Sequence, residues 1–282
     1  MALYSVYTHD VVRISGPDAH KLLNDTLTCR FDEGLVGAGR WFALLSPQGK
    51  IQVDGLVTFA RDAYWFDIEA GLVAEFVKRM KMYRLRAKVE IESLNADAVW
   101  WTPDGDARAE GKDVIAYRDE RAPTLGTRFV NINYGSFQGM DAGHFMEPYN
   151  ALRVAAGVPE FGPDYGRDSV FPHDVAMDFL GGIDFKKGCY IGQEVVSRME
   201  HRGTARRRPV IVSGLDATGI DVPILVGDRA AGTVGVSEGG TAVAIVRLDR
   251  FDGGEVTVGG KPVTVTLPDW ATYRLGESAP AD

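Results

Sequence analysis

The sequence predicts an α+β domain followed by a small all-β domain. Over the first 94 residues, segments that alternate apolar and polar residues are interspersed with two segments of helical apolar spacing. After Arg208 the chain consists of short apolar runs separated by Gly, Asp and Pro, which is typical of a small sandwich or barrel. We therefore divide the chain into residues 1–205 and residues 206–282.

The first half of the α+β domain is predicted to begin with a strand and a helix. Segment 7–16 alternates and stops at Gly16, which indicates a strand. Segment 17–27 has an early proline and helical spacing, which indicates a short helix. Segment 39–70 then predicts three strands, because turn residues interrupt its apolar runs twice.

An amphipathic helix is predicted over residues 71–85. Its expected buried face consists of Leu72, Phe76, Val77, Met80 and Tyr83. A strand over 87–94 completes the order β-α-β-β-β-α-β. Two or three strands and loops are expected in 95–147, then a helix that breaks at Gly157 and Pro159, and a last helix from about Gly192.

Composition narrows the function classes. The chain has 282 residues, 45% of them hydrophobic and 25% charged, which is an ordinary globular balance. The net charge of −8 argues against direct nucleic-acid binding over the whole surface. Apolar runs are too short to cross a membrane, and the first ten residues do not resemble a signal peptide. Because Cys29 and Cys189 form neither a CxxC pair nor a zinc spacing, we expect a cytoplasmic protein with reduced thiols.

The segment KKGCYIGQE, residues 186–194, carries the densest set of chemical groups. Cys189 is expected just before a helix N-terminus, with Lys187 close by, and both would favour the thiolate. Glu194 falls in the first helical turn, where the helix dipole favours a carboxylate. The alternative is a buried structural cysteine in a tight loop, with Glu194 as a cap.

This segment resembles the K-G-C-Y-x-G-Q-E signature of the YgfZ family. Those folate-binding proteins are related to the T-protein of glycine cleavage, and they include mitochondrial factors that help to mature iron–sulfur proteins. Three further stretches are similar to the family: ISGPDAHKLLNDTLTCRF, LLSPQGKIQVD and LRVAAGVPEFGPDY. The resemblance covers about residues 5–205.

The resemblance implies a fold and a function. The fold would be a folate-binding domain of ferredoxin-like halves around a central ligand hole, followed by a C-terminal β-barrel. The function would be folate binding in support of iron–sulfur cluster assembly or repair and, indirectly, tRNA modification. The cofactor would be tetrahydrofolate or a related folate, and the partners iron–sulfur clients or assembly proteins. Cys189 would supply a reactive thiolate, with Lys187, Gln193 and Glu194 contributing to the ligand site.

The same resemblance leaves enzymatic activity open. The T-protein has an Asp-Asp pair where this chain has Val53 and Asp54, so that only Asp54 is a candidate catalytic acid. Its pterin-binding glutamate corresponds to Ala155, which cannot accept hydrogen bonds from a pterin through its side chain. A folate-dependent aminomethyltransferase is therefore the second candidate function. By alignment, folate contacts fall near Tyr149 and His9, although His9 could equally be a surface residue at a strand start.

Two other groups of side chains are candidate sites. Five arginines between Arg198 and Arg208 could bind the glutamate tail of folate, an acidic protein or an RNA, so an RNA-binding module is a third candidate. They could also be a solvated link. His173, Asp174 and Asp178 have no second histidine cluster nearby, which favours capping or surface roles, and we predict no metal site.

Overall fold

The chain forms two compact units, each built from several stretches. The computed structural model describes residues 3–94, 98–103, 113–132, 146–203, 205–216 and 221–277. The first unit contains Met1–Pro47, Gln52–Tyr149 and Leu180–Ile191, and the second contains Gln48–Ile51, Asn150–Phe179 and Gly192–Asp282. The division into 1–205 and 206–282 stays a prediction about domains.

A nine-stranded sheet forms the first unit. Its strands are β1 (Tyr4–Ser5), β2 (His9–Ser15), β3 (Ala38–Leu45), β4 (Ile51–Ala60), β5 (Ala63–Glu69), β6 (Glu90–Leu94), β7 (Val99–Thr102), β8 (Val114–Asp119) and β9 (Thr127–Asn131). Their spatial order is β1-β7-β9-β8-β3-β4-β5-β2-β6. Strands β3 and β8 are parallel, which joins the strands predicted before residue 70 to those predicted after residue 95.

Two helices belong to this unit, α1 (Ala19–Thr26) and α2 (Ala70–Arg84). Helix α2 buries Leu72, Val73, Phe76 and Met80, whereas the predicted face residues Val77 and Tyr83 are only half-buried. The apolar stripe is therefore displaced towards Val73. Phe76 packs against the rings of Phe42 and Phe66, at centroid distances of 5.6 and 5.1 Å. Helix α2 packs on strands β5, β2 and β6, at one end of the sheet.

A seven-stranded antiparallel sheet forms most of the second unit. Its strands are β10 (Arg207–Ser213), β11 (Pro223–Val226), β12 (Arg229–Glu238), β13 (Thr241–Arg247), β14 (Val256–Val258), β15 (Lys261–Pro262) and β16 (Thr264–Thr266). They are ordered β15-β14-β11-β12-β13-β10-β16 around an apolar core that includes Val210, Val212 and Ile224. The apolar runs predicted after Arg208 are thus strands.

Helix α3 (Met146–Ala155) ends shortly before Gly157, and helix α4 (Gln193–Arg202) begins where the sequence predicts. Short 3-10 turns occur at Glu33–Leu35, Pro123–Leu125, Pro172–Val175 and Leu248–Arg250. Within the described ranges, every helix is too short or too polar to span a bilayer.

Candidate functional site

The Cys189 segment is a loop of the first unit that ends at helix α4. Both cysteines are free thiols; Cys189 is exposed and Cys29 is fully buried. Tyr190, directly after Cys189, is buried and anchors the loop. The alternative of a buried structural cysteine therefore does not describe Cys189, whereas Cys29 is buried.

Lys187 fastens this loop to the end of helix α1. Its Nζ donates to the backbone oxygens of Asn24 at 3.0 Å and Cys29 at 2.8 Å, and also to that of Leu27. These carbonyls lie at the helix C-terminus, where backbone oxygens lack helical partners and the dipole favours a cation. The Tyr190 ring lies 4.9 Å from Nζ. Lys187 is thus a positioning residue for the loop that carries Cys189.

Burial controls the protonation of the groups around Lys187. It lowers the pKa of Lys187 to about 8 and raises the pKa of Cys29 to about 12, so that Cys29 stays a thiol at neutral pH. In the described part of the chain, the hydrogen bonds of Lys187 go to carbonyl oxygens and not to Cys189. Activation of the Cys189 thiolate by Lys187 stays a prediction.

Gly192 ends the loop and caps helix α4. Its φ of +79° lies in the left-handed region, which a side chain disfavours. Gln193 follows, half-buried, and Glu194 is exposed in the first helical turn, as predicted. Their predicted contacts with a ligand stay predictions.

A buried polar cluster around Asp67 lies in the sheet of the first unit. Its carboxylate is 2.6 Å from His9 Nδ1 and accepts hydrogen bonds from Tyr117 Oη at 2.7 Å and Arg128 Nη1 at 2.9 Å. Burial alone would raise the pKa of Asp67, but the Arg128 charge and the hydrogen bonds hold this pKa well below its ordinary range. His9 begins a strand, as predicted, yet it is largely buried and not a surface residue.

Sequence reasoning missed Asp67 and Arg128. The signal available was an aspartate in the middle of the apolar strand AYWFDIE, because a charge there needs a buried partner. The partner could not be identified, since Arg128 lies 61 residues further along the chain.

Tyr149 is completely buried beside this cluster. Its hydroxyl accepts a hydrogen bond from Arg121 Nη2 at 2.7 Å, and Arg121 also binds Asp119. The Tyr149 ring lies 5.6 Å from Trp101 and 5.0 Å from the Arg128 guanidinium. The predicted stacking of a pterin on this ring stays a prediction, and it requires a face of Tyr149 to become accessible.

The positions compared with the T-protein differ in their surroundings. Asp54 is buried in β4 and accepts a hydrogen bond from Trp41 Nε1 at 2.9 Å, next to the buried Val53. Ala155 is exposed at the end of α3. Glu160, five residues further on, is 3.2 Å from Arg153 Nε, an ion pair within the second unit.

The arginine cluster and the histidine of the second unit are engaged with carboxylates. Arg207 binds Asp174 at 2.6 Å and Arg208 binds Asp178 at 2.7 Å. Two of the five arginines considered for RNA or folate are therefore occupied by ion pairs. His173 meets Glu200, a residue that sequence reasoning did not connect with it.

Comparison with known proteins identifies the fold. Residues 206–273 match the family model of the CAF17 C-terminal β-barrel domain. The structure is similar to the aminomethyltransferase T of the glycine cleavage system from Bartonella henselae, with a TM-score of 0.74 and 14% identity over 97% of this chain and 87% of that chain. Such low identity shows the fold alone. The predicted mixed α+β class with a C-terminal β-barrel is confirmed.

The sequence is similar to mitochondrial iron-sulfur cluster assembly factors named IBA57 or IBA57 homologues. Identity to the Coccidioides immitis protein is 36% over 160 residues, which is 51% of this chain and 37% of that protein. For Neurospora crassa it is 27%, over 70% of this chain and 50% of the relative. Identity to the mouse protein is 26%, over 92% of this chain and 82% of the mouse protein. The chain thus spans half or less of the two fungal relatives. These matches name IBA57, and the link to YgfZ rests on the motifs.

The predicted cytoplasmic location is wrong by the same comparison. The fungal and mouse relatives are all named as mitochondrial proteins. The prediction relied on reduced thiols, but a free thiol indicates only a reducing environment and does not distinguish one reducing compartment from another.

Proposed function

We propose that this chain is an iron–sulfur cluster assembly factor in which Cys189 is a transient ligand or exchange thiol. The observation that carries the proposal is the exposure of Cys189 on a loop that Lys187 fastens to rigid backbone. The names of the similar proteins support the same role. A thiolate is the ligand that iron–sulfur clusters prefer.

The number of thiols limits what the chain can do alone. A cluster is ordinarily held by four thiolates. This chain has two cysteines, and burial keeps Cys29 protonated. Cys189 therefore supplies one ligand, and the remaining ligands come from a partner protein or from small thiols. The role is thus transfer or repair with a client, and any effect on tRNA modification is indirect, through iron–sulfur enzymes.

Complementation of a strain that lacks its own relative tests this proposal. Wild-type chain should restore the activity of iron–sulfur enzymes, and Cys189→Ser should not, because serine is a poor ligand for iron and a weak nucleophile. Cys29→Ala is the matched control, and this variant should restore activity when the protein accumulates to the wild-type level. Full rescue by Cys189→Ser would show that this thiol is dispensable.

We also propose that the chain binds a reduced folate without efficient aminomethyl transfer. The motifs that resemble the YgfZ family support a folate site, and Val53 and Ala155 at the compared positions argue against that chemistry. Calorimetry with tetrahydrofolate should show micromolar to sub-millimolar affinity, weakened by Tyr149→Ala but not by Tyr7→Ala, which changes an exposed tyrosine. Absence of heat at millimolar folate, or robust turnover with an aminomethyl donor, would overturn this proposal.

A further inference from the structure

A cleft in the second unit has charged and polar side chains on its walls. Its volume is about 240 Å³, and His173, Glu200 and Arg208 line it together with the apolar groups of Phe179 and Met199. His173 comes from the 3-10 turn Pro172–Val175 and Glu200 from helix α4. The cleft therefore opens beside side chains from two different elements.

Contrary to the prediction from the sequence, we propose that His173, Asp178 and Glu200 bind a divalent first-row transition-metal ion. Ligand-capable atoms of the three side chains lie within 4.8 Å of one another, and His173 Nε2 is 3.2 Å from Glu200 Oε2. One imidazole and two carboxylates form a donor set that suits such ions. Because two of the three residues line the cleft, further coordination positions face a space that admits water or a small anion.

Arg208 holds two of these residues in place. Its Nη1 donates to the carboxylate oxygen Oδ1 of Asp178 at 2.7 Å and to the backbone oxygen of His173 at 2.7 Å. The guanidinium itself lies 4.9 Å from the Phe179 ring. Outer hydrogen-bonding groups orient metal ligands. Arg208 engages one oxygen of Asp178, and the carboxylate has a second.

The charges around the cleft match a divalent cation. Asp178, Glu200 and Glu277 contribute three negative charges and Arg208 one positive charge, which leaves −2 when His173 is neutral. A divalent ion would neutralise this excess. His173 is 1% exposed whereas the Glu200 side chain is 43% exposed, so the site combines a rigid buried ligand with an accessible one. The competing explanation is an Arg208–Asp178 ion pair beside a His173–Glu200 hydrogen bond, without any ion.

Cobalt titration distinguishes the two explanations. Metal-stripped full-length protein should bind one Co²⁺ per chain with visible d–d absorption, and Zn²⁺ should displace it and raise the melting temperature. Glu200→Gln should weaken Co²⁺ binding by at least about tenfold. This change affects a partly exposed side chain, so the fold should persist, as circular dichroism would verify. The controls are His201→Asn, which changes an exposed histidine on the same helix, and Cys189→Ser, which removes the exposed thiol.

Two outcomes would overturn the proposal. One is the absence of saturable Co²⁺ binding at one ion per chain. The other is equal affinity of wild type, Glu200→Gln and His201→Asn, which would place the ion elsewhere and leave the cluster as an ion-pair network. The result is independent of the proposed iron–sulfur role, because none of the three ligands belongs to the Cys189 segment.

Discussion

At the scale of single residues, Lys187 has a role that its position in the motif does not reveal. The sequence places it two residues before Cys189 and suggests an electrostatic effect on the thiol. In the structure its ammonium is bound by backbone oxygens of residues 24–29. The loop geometry around Cys189 therefore depends on a half-buried cation.

Stability should report the titration of Lys187. Its folded pKa is about 8, below the ordinary 10.5, so between these values the unfolded chain binds more protons than the folded chain. The free energy of unfolding of wild type should therefore rise with pH across this window, by up to about 3 kcal/mol relative to Lys187→Met. Urea titrations at a series of pH values measure the difference. Lys186→Met changes the exposed neighbouring lysine and should show the same rise of stability with pH as wild type. If Lys187→Met also shows this rise, the titrating group is not Lys187.

The Asp67 carboxylate should contribute strongly to the stability of the fold. Asp67→Asn would leave the buried Arg128 charge without its carboxylate, and should lower the free energy of unfolding by about 3–5 kcal/mol. Because the folded pKa of Asp67 is depressed, this stabilisation is present above pH 3.8 and is lost as pH falls below it. The matched control is Asp25→Asn, which breaks an exposed, solvent-screened pair with Lys21 and should cost far less. Similar costs for both variants would show that Arg128 finds other compensation.

At the scale of elements, one glycine joins the Cys189 loop to helix α4. Gly192 occupies the N-cap of α4, and its φ of +79° lies in the left-handed region. A β-carbon would strain the backbone at this position.

Gly192→Ala should therefore destabilise the protein by about 1–2 kcal/mol and change the alkylation rate of Cys189. Chemical denaturation and iodoacetamide kinetics measure the two effects. Gly188→Ala is the matched control within the same loop, because a β-carbon there meets no atom within 4 Å and its φ is not positive. If both variants behave alike, the conformation of Gly192 does not determine the loop.

At the scale of the whole chain, residues 270–273 contact backbone that lies far earlier in the sequence, including Ala156 directly after helix α3. Trp270 Nε1 donates to the backbone oxygen of Ala156 at 2.8 Å, and Tyr273 Oη donates to that of Pro209 at 2.6 Å. Both rings also contact Phe179. Trp270 and Tyr273 therefore help to hold the second unit together.

Trp270→Ala should lower the free energy of unfolding by about 2–4 kcal/mol, because it removes ring packing and a hydrogen bond together. Trp270→Phe keeps most of the ring packing and should cost about 1 kcal/mol. Thermal and urea unfolding measure both. A negligible effect of Trp270→Ala would indicate that the last residues do not stabilise the second unit.

Much of the fold was predictable from local patterns. Alternation and helical spacing identified the strands and helices before residue 94, and the short runs after Arg208 identified the barrel strands. Local chemistry also identified the start of α4 at Gly192. The parallel pairing of β3 with β8 was not predictable, because strand partners are chosen by packing over the whole sheet.

The sequence by itself determined the class of fold and the segment that carries Cys189, because periodicity and turn chemistry act between residues a few positions apart. Only the tertiary structure decided which distant groups meet. It joined Lys187 to carbonyls 160 residues away, Asp67 to Arg128, and His173 to Glu200. A buried charge must find a partner or lose its charge, but the chain offers many candidates. Which one it meets depends on how the sheets and helices pack, and that is a property of the folded molecule.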